Sequence, residues 1–260
     1  MKIRMFQVDA FTEKLFGGNP AAVCLLTEPL TNELMQKISA ENNLAETAFV
    51  TETGESFNIR WCTPKVEVDL CGHATLASAH VIFNHLNYSR EMIRFSSRSG
   101  VLDVRKEQQF LTLNFPVDMI RKGCLPAIVT ESLGMEPIEI LQGKTDYLLV
   151  YENQRQIEML DPDFAGLCKA TARGIITTAK GNESDFVSRF FAPQVGINED
   201  PVTGSAHTTL IPYWSVRLGK KEMTAVQLSE RRGYLRCKDL GNRVEISGQA
   251  VTYMIGEISV

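Results

Sequence analysis

Two short stretches, each leading through a glycine into small residues, constrain this chain most. They are residues 71–80, CGHATLASAH, and residues 200–207, DPVTGSAH. A helix that carries alanine, serine and threonine on most faces has few large side chains, so we expect it to be tightly enclosed by backbone. The first N–H groups of a helix lack partners within it and carry partial positive charge, which suits a carboxylate or a phosphate. Two such helix starts predict one binding site between two halves of the chain.

Most of the remaining sequence consists of short runs that alternate apolar with polar residues and end at turn residues. Such runs are typical of half-buried strands, and few helices separate them. This pattern argues against a doubly wound parallel sheet and favours an α+β fold with a curved sheet around one central helix in each half. The polar stretch after Pro116 predicts an N-terminal lobe of residues 1–117 and a C-terminal lobe of residues 118–260. The last strand of the chain is a candidate member of the first lobe.

Capping and stop signals predict five helices, at about residues 31–42, 73–86, 126–133, 161–170 and 205–218. Thr31 and Asp161 are the predicted caps of the first and fourth helices, and Gly134 and Gly219 are the predicted stops of the third and fifth.

Charge and hydropathy exclude several classes of protein. The chain has 27 Lys and Arg against 31 Asp and Glu, a net charge of -4, and no basic run that would bind nucleic acid. No apolar stretch approaches the roughly 18 uninterrupted residues of a membrane span. The first residues, MKIRMFQVD, alternate in character and lack the apolar centre of a signal peptide. We expect a cytoplasmic protein with no membrane or nucleic-acid partner.

Three polar residues are candidates for chemistry. Glu46 lies in an otherwise apolar entry to a strand, where desolvation raises the pKa of a carboxyl group toward the range in which it both takes and gives a proton. Asp200 can accept a hydrogen bond from a substrate, and His73 can donate one to a carboxylate. Each also has a structural interpretation: a solvated strand end for Glu46, and a cap for Asp200 or His73.

Cysteine and the other histidines contribute less. The six cysteines form no C-x-x-C pair, so buried free thiols are expected. Cys71 is a competing catalyst because a helix start lowers the pKa of a thiol. His80, His85 and His207 are interpreted as structural, and no spacing typical of metal ligands is found, so no metal is expected.

Four blocks of sequence, taken together, resemble the PhzF-like (phenazine biosynthesis-like) isomerase family. They lie in the family's order, and they are FGGNPAAV at 16–23, NLAETAF at 43–49, CGHAT at 71–75 and DPVTGSAH at 200–207. The resemblance implies the diaminopimelate epimerase-like fold. In that fold two similar lobes each have a curved, mostly antiparallel sheet or barrel wrapped around a central helix, with the site in the cleft and usually a homodimer.

The resemblance also assigns functional residues. The acid/base glutamate of the family falls on Glu46, and its polar site residues fall on His73, Asp200 and Ser205. Gly72 and Gly204 match the turns that present backbone N–H groups, and Asn19 and Ala74, within the matching blocks, are further predicted substrate contacts. The activity implied is an isomerisation, without cofactor, of a small carboxylate-bearing substrate. Ala45 stands where the phenazine branch of the family tends to have serine, which puts the phenazine precursor in doubt as the substrate.

Two other functions remain open from the sequence. A racemase or epimerase on the same fold would use Cys71 with a second thiol, but Pro201 occupies the corresponding place in the second half. A non-catalytic protein that binds a small acid would keep both helix starts without needing Glu46.

Overall fold

The computed structural model describes residues 1–169 and 173–260. The chain divides into two compact units, one of Met1–Asn114 with Ser247–Val260 and the other of Phe115–Ile246. Strands and helices are numbered along the chain.

The first unit contains two helices and a mixed sheet. Its elements, together with β8, which extends two residues beyond it, are β1 (Lys2–Ala10), β2 (Asn19–Leu26), α1 (Asn32–Asn42), β3 (Glu46–Thr53), β4 (Ser56–Cys62), β5 (Glu67–Val68), α2 (Gly72–His85), β6 (Met92–Ser97), β7 (Gly100–Glu107), β8 (Phe110–Pro116) and β18 (Ala250–Ser259).

Strand pairing in this unit is mostly antiparallel. β1 lies between β2 and β18 and is antiparallel to both, and the β3–β4, β6–β7 and β7–β8 pairs are also antiparallel. The exceptions are β2 with β3 and β4 with β6, which run parallel. Helix α2 packs against β1, β2, β3 and β18, and ten of its residues between His73 and Phe83 are buried. The small residues of α2 thus form an enclosed helix, as the sequence predicts.

The second unit contains the other four helices of the described chain. Its elements, with the start of β17, are β9 (Arg121–Lys122), α3 (Ala127–Leu133), β10 (Glu139–Gln142), β11 (Asp146–Val150), α4 (Gln154–Met159), α5 (Phe164–Leu167), β12 (Gly174–Lys180), β13 (Phe186–Ala192), a 3₁₀ turn (Pro193–Val195), β14 (Ile197–Glu199), α6 (Gly204–Leu218), β15 (Glu222–Gln227), β16 (Gly233–Asp239) and β17 (Arg243–Gly248).

The sheet of the second unit is also mixed. β11 runs parallel to β12 and β13 runs parallel to β15, whereas β10–β11, β12–β13 and β15–β16 are antiparallel pairs. Helix α6 packs on β16 and buries both aromatic side chains of its middle, Tyr213 and Trp214. Trp214 stacks on Phe186 with ring centroids 5.9 Å apart.

A proline inside α6 is accommodated by a donor from outside the helix. Pro212 has no N–H, so the carbonyl of Thr208, four residues earlier, lacks its helical partner. The backbone N–H of Asp118 donates to that carbonyl at 3.3 Å. The gap in the hydrogen-bond ladder is therefore filled.

Most of the predicted helix ends are confirmed. The hydroxyl of Thr31 accepts from the N–H of Leu34 at 3.3 Å, and Gly134 and Gly219 end their helices with left-handed φ values of 69° and 63°. The helix predicted from Asp161 begins later, after Asp163, whose carboxylate accepts from the N–H of Ala165. Its predicted end at Ala170 lies outside the described residues. No helix in the described part of the chain has the length and apolar character needed to span a membrane.

Gly233 provides space for the turn before α6. A Cβ atom at Gly233 would lie 2.1 Å from a methyl carbon of Val202, and Val202 is fully buried. Overpacking of this kind typically costs about 1–3 kcal/mol. We expect Gly233→Ala to lower the free energy of unfolding by that amount in urea titrations. Gly256→Ala is the matched control because its Cβ would meet only the sulfur of Met254, at 3.1 Å. Equal stability of the two variants would contradict the prediction.

His207, in the first turn of α6, is a second measurable feature of this unit. It is completely buried, and its Nδ1–H donates to the carbonyl of Thr203 at 2.8 Å. Burial lowers the pKa of His207 from 6.5 to about 4, so the imidazole is neutral at neutral pH.

The free energy of unfolding should therefore depend on pH through His207. Between pH 6.5 and about 4 the unfolded chain binds a proton that the folded chain does not, so stability is lost as the pH falls through this window. The loss amounts to about 3 kcal/mol for a shift of this size. Denaturant titrations at several pH values measure the free energy of unfolding of the wild type and of His207→Gln. The variant should lack the pH dependence that His207 causes, so the difference in unfolding free energy between the two proteins should shrink as the pH falls. His85→Gln, at a less buried histidine, is the control. A deficit that is independent of pH would contradict the assignment.

Candidate active site

In the first unit, three of the predicted site residues stand at the beginnings of secondary-structure elements. Asn19 is the first residue of β2, Glu46 the first of β3 and Gly72 the first of α2. β2 and β3 are parallel, with Ala21 opposite Glu46, so the two strands begin at the same end of the sheet. Parallel pairing thus brings together residues that are 27 positions apart in the sequence.

Local backbone geometry guides the chain into both strands. Gly18 has a φ of +60°, and a Cβ atom there would lie 2.1 Å from the carbonyl oxygen of Ala10. Only glycine fits this close approach, which sets Asn19 opposite Ala10 in the β1–β2 pair. On the other side, α1 is followed by Asn43 in the left-handed conformation, with a φ of 48°. This turn redirects the chain toward Glu46.

His73 is the centre of the cluster. Its Nε2 lies 3.2 Å from Oε2 of Glu46. On the other side of the ring, Nδ1 lies 3.2 Å from the amide nitrogen of Asn19 and 3.6 Å from the sulfur of Cys71. His73 is 4% exposed and Asn19 is 0% exposed, and the side chain of Glu46 is 12% exposed. The cluster is therefore largely shielded from water.

Burial determines the charge of His73. Desolvation lowers the pKa of His73 from 6.5 to about 3, so its ring is neutral at neutral pH. The close approach of Glu46 is therefore a contact with a neutral imidazole rather than an ion pair. This contact also lacks the alignment of a hydrogen bond.

The same residues include donors that can bind a metal ion. Glu46, Cys71 and His73 each offer a ligand atom, and these atoms lie within 4.8 Å of one another. A carboxylate oxygen, a thiol sulfur and an imidazole nitrogen are all ligand types that zinc accepts, with bonds of about 2.0–2.3 Å.

In the second unit, the turn before α6 is held by buried polar groups. The Thr203 hydroxyl donates to the Asp200 carboxylate at 2.5 Å. The side-chain amide of Gln227 accepts from the N–H of Thr203 at 2.8 Å and donates to the carbonyl of Asp200 at 2.7 Å. Gln227 thus fixes both ends of the turn. Sequence reasoning missed it, since a lone glutamine at the end of a strand gives no local signal.

Ser205, in the first turn of α6, is contacted by an arginine. Nη2 of Arg173 donates to the Ser205 hydroxyl at 3.1 Å. Two nitrogens of Arg173 also bind the carboxylate of Asp146, which is 3% exposed. Bidentate pairing fixes the orientation of a guanidinium group. Arg173 and Asp146 were also missed by sequence reasoning because neither belongs to a motif.

The predicted site residues are thus found in two groups, each described within its own unit. The first unit brings together Glu46, His73, Asn19 and the start of α2, which includes Gly72 and the fully buried Ala74. The second brings together Asp200, Gly204 and Ser205 at the start of α6. Cys71 belongs to the first group through its contact with His73.

Comparison with known proteins identifies the family. The family model for phenazine biosynthesis-like proteins matches residues 8–256. An uncharacterised isomerase of Pseudomonas aeruginosa is 48% identical over 258 residues, covering 99% of both chains.

Solved structures agree with this relationship. The chain matches a phenazine biosynthesis protein of the PhzF family from Enterococcus faecalis with a TM-score of 0.97 and 42% identity, over 100% of both chains. A hydroxyproline epimerase from Agrobacterium vitis matches with a TM-score of 0.63 at 10% identity, which is a likeness of fold alone. The predicted α+β fold and the predicted enzyme class are confirmed. The chain therefore belongs to the phenazine biosynthesis-like (PhzF) family and is an isomerase.

Proposed function

We propose that this isomerase moves a proton between carbons of a small carboxylate-bearing substrate, with Glu46 as the general acid and base. The contact of Glu46 with His73, 3.2 Å apart in a site shielded from water, is the observation that carries the proposal. A proton carrier needs a carboxyl group that is partly desolvated, and the side chain of Glu46, 12% exposed, meets this condition.

The reaction requires only one proton carrier. The ionised carboxylate of Glu46 takes a proton from a carbon next to an unsaturated group, and the electron pair of the broken C–H bond moves into that group. Glu46 then returns a proton to another carbon of the delocalised system, so that atoms and charge balance without a redox step. Exchange of the carboxyl proton with solvent before this return introduces deuterium from heavy water. We therefore propose a mechanism that needs no cofactor.

The start of α2 is suited to the negative charge that develops in this step. The N-cap residue Cys71 makes no side-chain cap, so it leaves the first N–H groups of the helix, at residues 72–74, to other partners. Partial positive charge at a helix start stabilises an anion. Gly72 has no side chain to hinder the approach of a substrate. We assign these N–H groups to the substrate carboxylate or to the charge that develops beside it.

Asp200, Gly204 and Ser205 are proposed as the second group of substrate contacts. Ser205 accepts a hydrogen bond from Arg173, so its own hydroxyl proton is available for another acceptor. A substrate carboxylate is such an acceptor. The location of the substrate in a cleft between two lobes, the homodimer and the cytoplasmic location stay predictions.

The thiol alternative has one observation in its favour, the 3.6 Å contact between the Cys71 sulfur and His73. Because His73 is neutral at neutral pH, it offers no positive charge to hold a thiolate. We therefore rank Glu46 above Cys71 as the proton carrier.

Replacement of Glu46 tests the proposal directly. A panel of small unsaturated carboxylates is incubated with the protein in heavy water, and proton NMR measures the incorporation of deuterium at carbon. General acid–base groups typically contribute about 10²–10⁴-fold to a rate. We expect Glu46→Gln to slow the exchange by at least roughly 100-fold.

Glu52→Gln is the matched control, because Glu52 is an exposed glutamate on the same strand. The Glu52→Gln variant should catalyse deuterium exchange at the wild-type rate. Exchange that survives Glu46→Gln and disappears with Cys71→Ala would overturn the assignment in favour of the thiol.

Asp200→Asn separates a structural from a functional role of that residue. The amide oxygen can still accept from the Thr203 hydroxyl, so the turn should persist and the urea midpoint should change little. Loss of the negative charge should nevertheless weaken the contact with a substrate hydroxyl or amine. We expect exchange to fall about 10-fold or more, the effect of losing roughly 1.4 kcal/mol. A variant with lowered stability and unchanged exchange would show that Asp200 acts only in the turn.

A further inference from the structure

Asn19 lies where it can determine which nitrogen of His73 carries the proton. Its side-chain nitrogen is 3.2 Å from Nδ1 of His73, and it is fully buried. An amide nitrogen carries only hydrogen-bond donors, so the ring nitrogen that faces it must be an acceptor. A neutral imidazole has one N–H. With the lone pair on Nδ1, that hydrogen is on Nε2.

The contact of Cys71 is consistent with this assignment. Its sulfur lies 3.6 Å from the same Nδ1, and a thiol is a weak hydrogen-bond donor. An amide nitrogen, which can only donate, and a thiol, which can donate or accept, thus face one ring nitrogen. If the proton were on Nδ1, it would point at the amide hydrogens of Asn19.

The opposite side of the ring favours the same tautomer. Nε2 faces the carboxyl oxygen of Glu46 at 3.2 Å. A lone pair on Nε2 would repel the lone pairs of a carboxylate oxygen at this distance, whereas an N–H attracts them. The contacts on both sides of the ring therefore agree.

We infer that Asn19 is a positioning residue, which holds His73 in the Nε2–H tautomer, so that a ring hydrogen rather than a lone pair lies on the side of the Glu46 carboxylate. This inference rests on the proposed function only for its consequence, because the tautomer itself can be observed without a substrate. This inference gives Asn19 a positioning role, which differs from the substrate contact that its sequence motif predicts.

The consequence concerns the readiness of Glu46 to act as a base. An N–H on the side of the carboxylate favours its ionised form by charge–dipole attraction. Without Asn19 the ring is free to adopt the other tautomer, which would place a lone pair against Glu46. Catalysis would then lose the stabilisation of the ionised carboxylate, and repulsion would displace the proton carrier.

The test is long-range ¹H–¹⁵N NMR of the histidine side chains in the full chain at neutral pH. In the wild-type protein, Nδ1 of His73 should have the shift of an unprotonated ring nitrogen and Nε2 that of a protonated one. Asn19→Asp places a hydrogen-bond acceptor beside Nδ1 and should reverse this pattern. Asn19→Leu removes the bias and should give a mixture of tautomers.

The chain contains a matched control. The side-chain nitrogen of Asn84 contacts Nδ1 of His80 at 3.1 Å, which is the same pairing outside the candidate site. Asn84→Leu should alter the signals of His80 and leave those of His73 unchanged. For a carboxylate that exchanges in heavy water, Asn19→Leu should lower the rate by roughly 100-fold, as expected when a reacting group is misplaced, and Asn84→Leu should not.

A protonated Nδ1 in wild-type His73 would overturn the inference, as would a His73 pattern that is the same in Asn19→Asp. The wild-type spectrum alone shows which ring nitrogen of His73 is protonated, so it tests the inference even if the Asn19 variants do not fold. Failure of the proposed function would be recognised separately, since Glu46→Gln would then leave deuterium exchange intact whatever the tautomer of His73.

Discussion

The candidate site depends on the burial of an imidazole ring that carries no charge. His73 is almost fully enclosed, and desolvation lowers its pKa to about 3. A protonated ring would form a strong ion pair with Glu46 and hold that carboxylate in its ionised form. A neutral ring contributes only a dipole. The proposed role of Glu46 as both acid and base requires such an uncharged neighbour.

Each unit builds the start of its buried helix with polar groups that come from elsewhere in the sequence. In the first unit Asn19 reaches His73 across 54 positions. In the second, Gln227 bridges Asp200 and Thr203, and Arg173 reaches Ser205. These partners are buried or paired with a buried carboxylate, so they hold the helix starts with little freedom of motion. Preorganised donors cost no rearrangement when charge develops.

Sequence reasoning succeeded where the determining interaction is local. Thr31 caps the helix that follows it, and Gly134 and Gly219 adopt the left-handed conformation that ends a helix. The sequence does not reveal α4, a helix of only six residues. Asp161 is the predicted cap of α5 because Pro162, a residue typical of the first helical position, follows it, but the cap in the structure is Asp163. Gln227, Arg173 and Asp146 were beyond prediction, since their contacts depend on strand pairing. The motif blocks identified Asn19, but only the coordinates bring its amide against His73.

The burial of the neutral His73 ring also bears on the choice between one glutamate and a pair of thiols as proton carriers. A two-base mechanism needs a proton acceptor on each side of the substrate, and Pro201 stands where the sequence comparison predicts the second thiol of a racemase. The partial positive charge at the start of α2 favours a thiolate at Cys71, whereas burial opposes one. Its neighbour is the neutral ring of His73, and the nitrogen that faces it also faces the amide of Asn19. If that nitrogen is an acceptor, the Cys71 thiol can donate a hydrogen bond to it and therefore stays protonated. The arrangement that the proposal requires for Glu46 as the base thereby disfavours Cys71 in the same role.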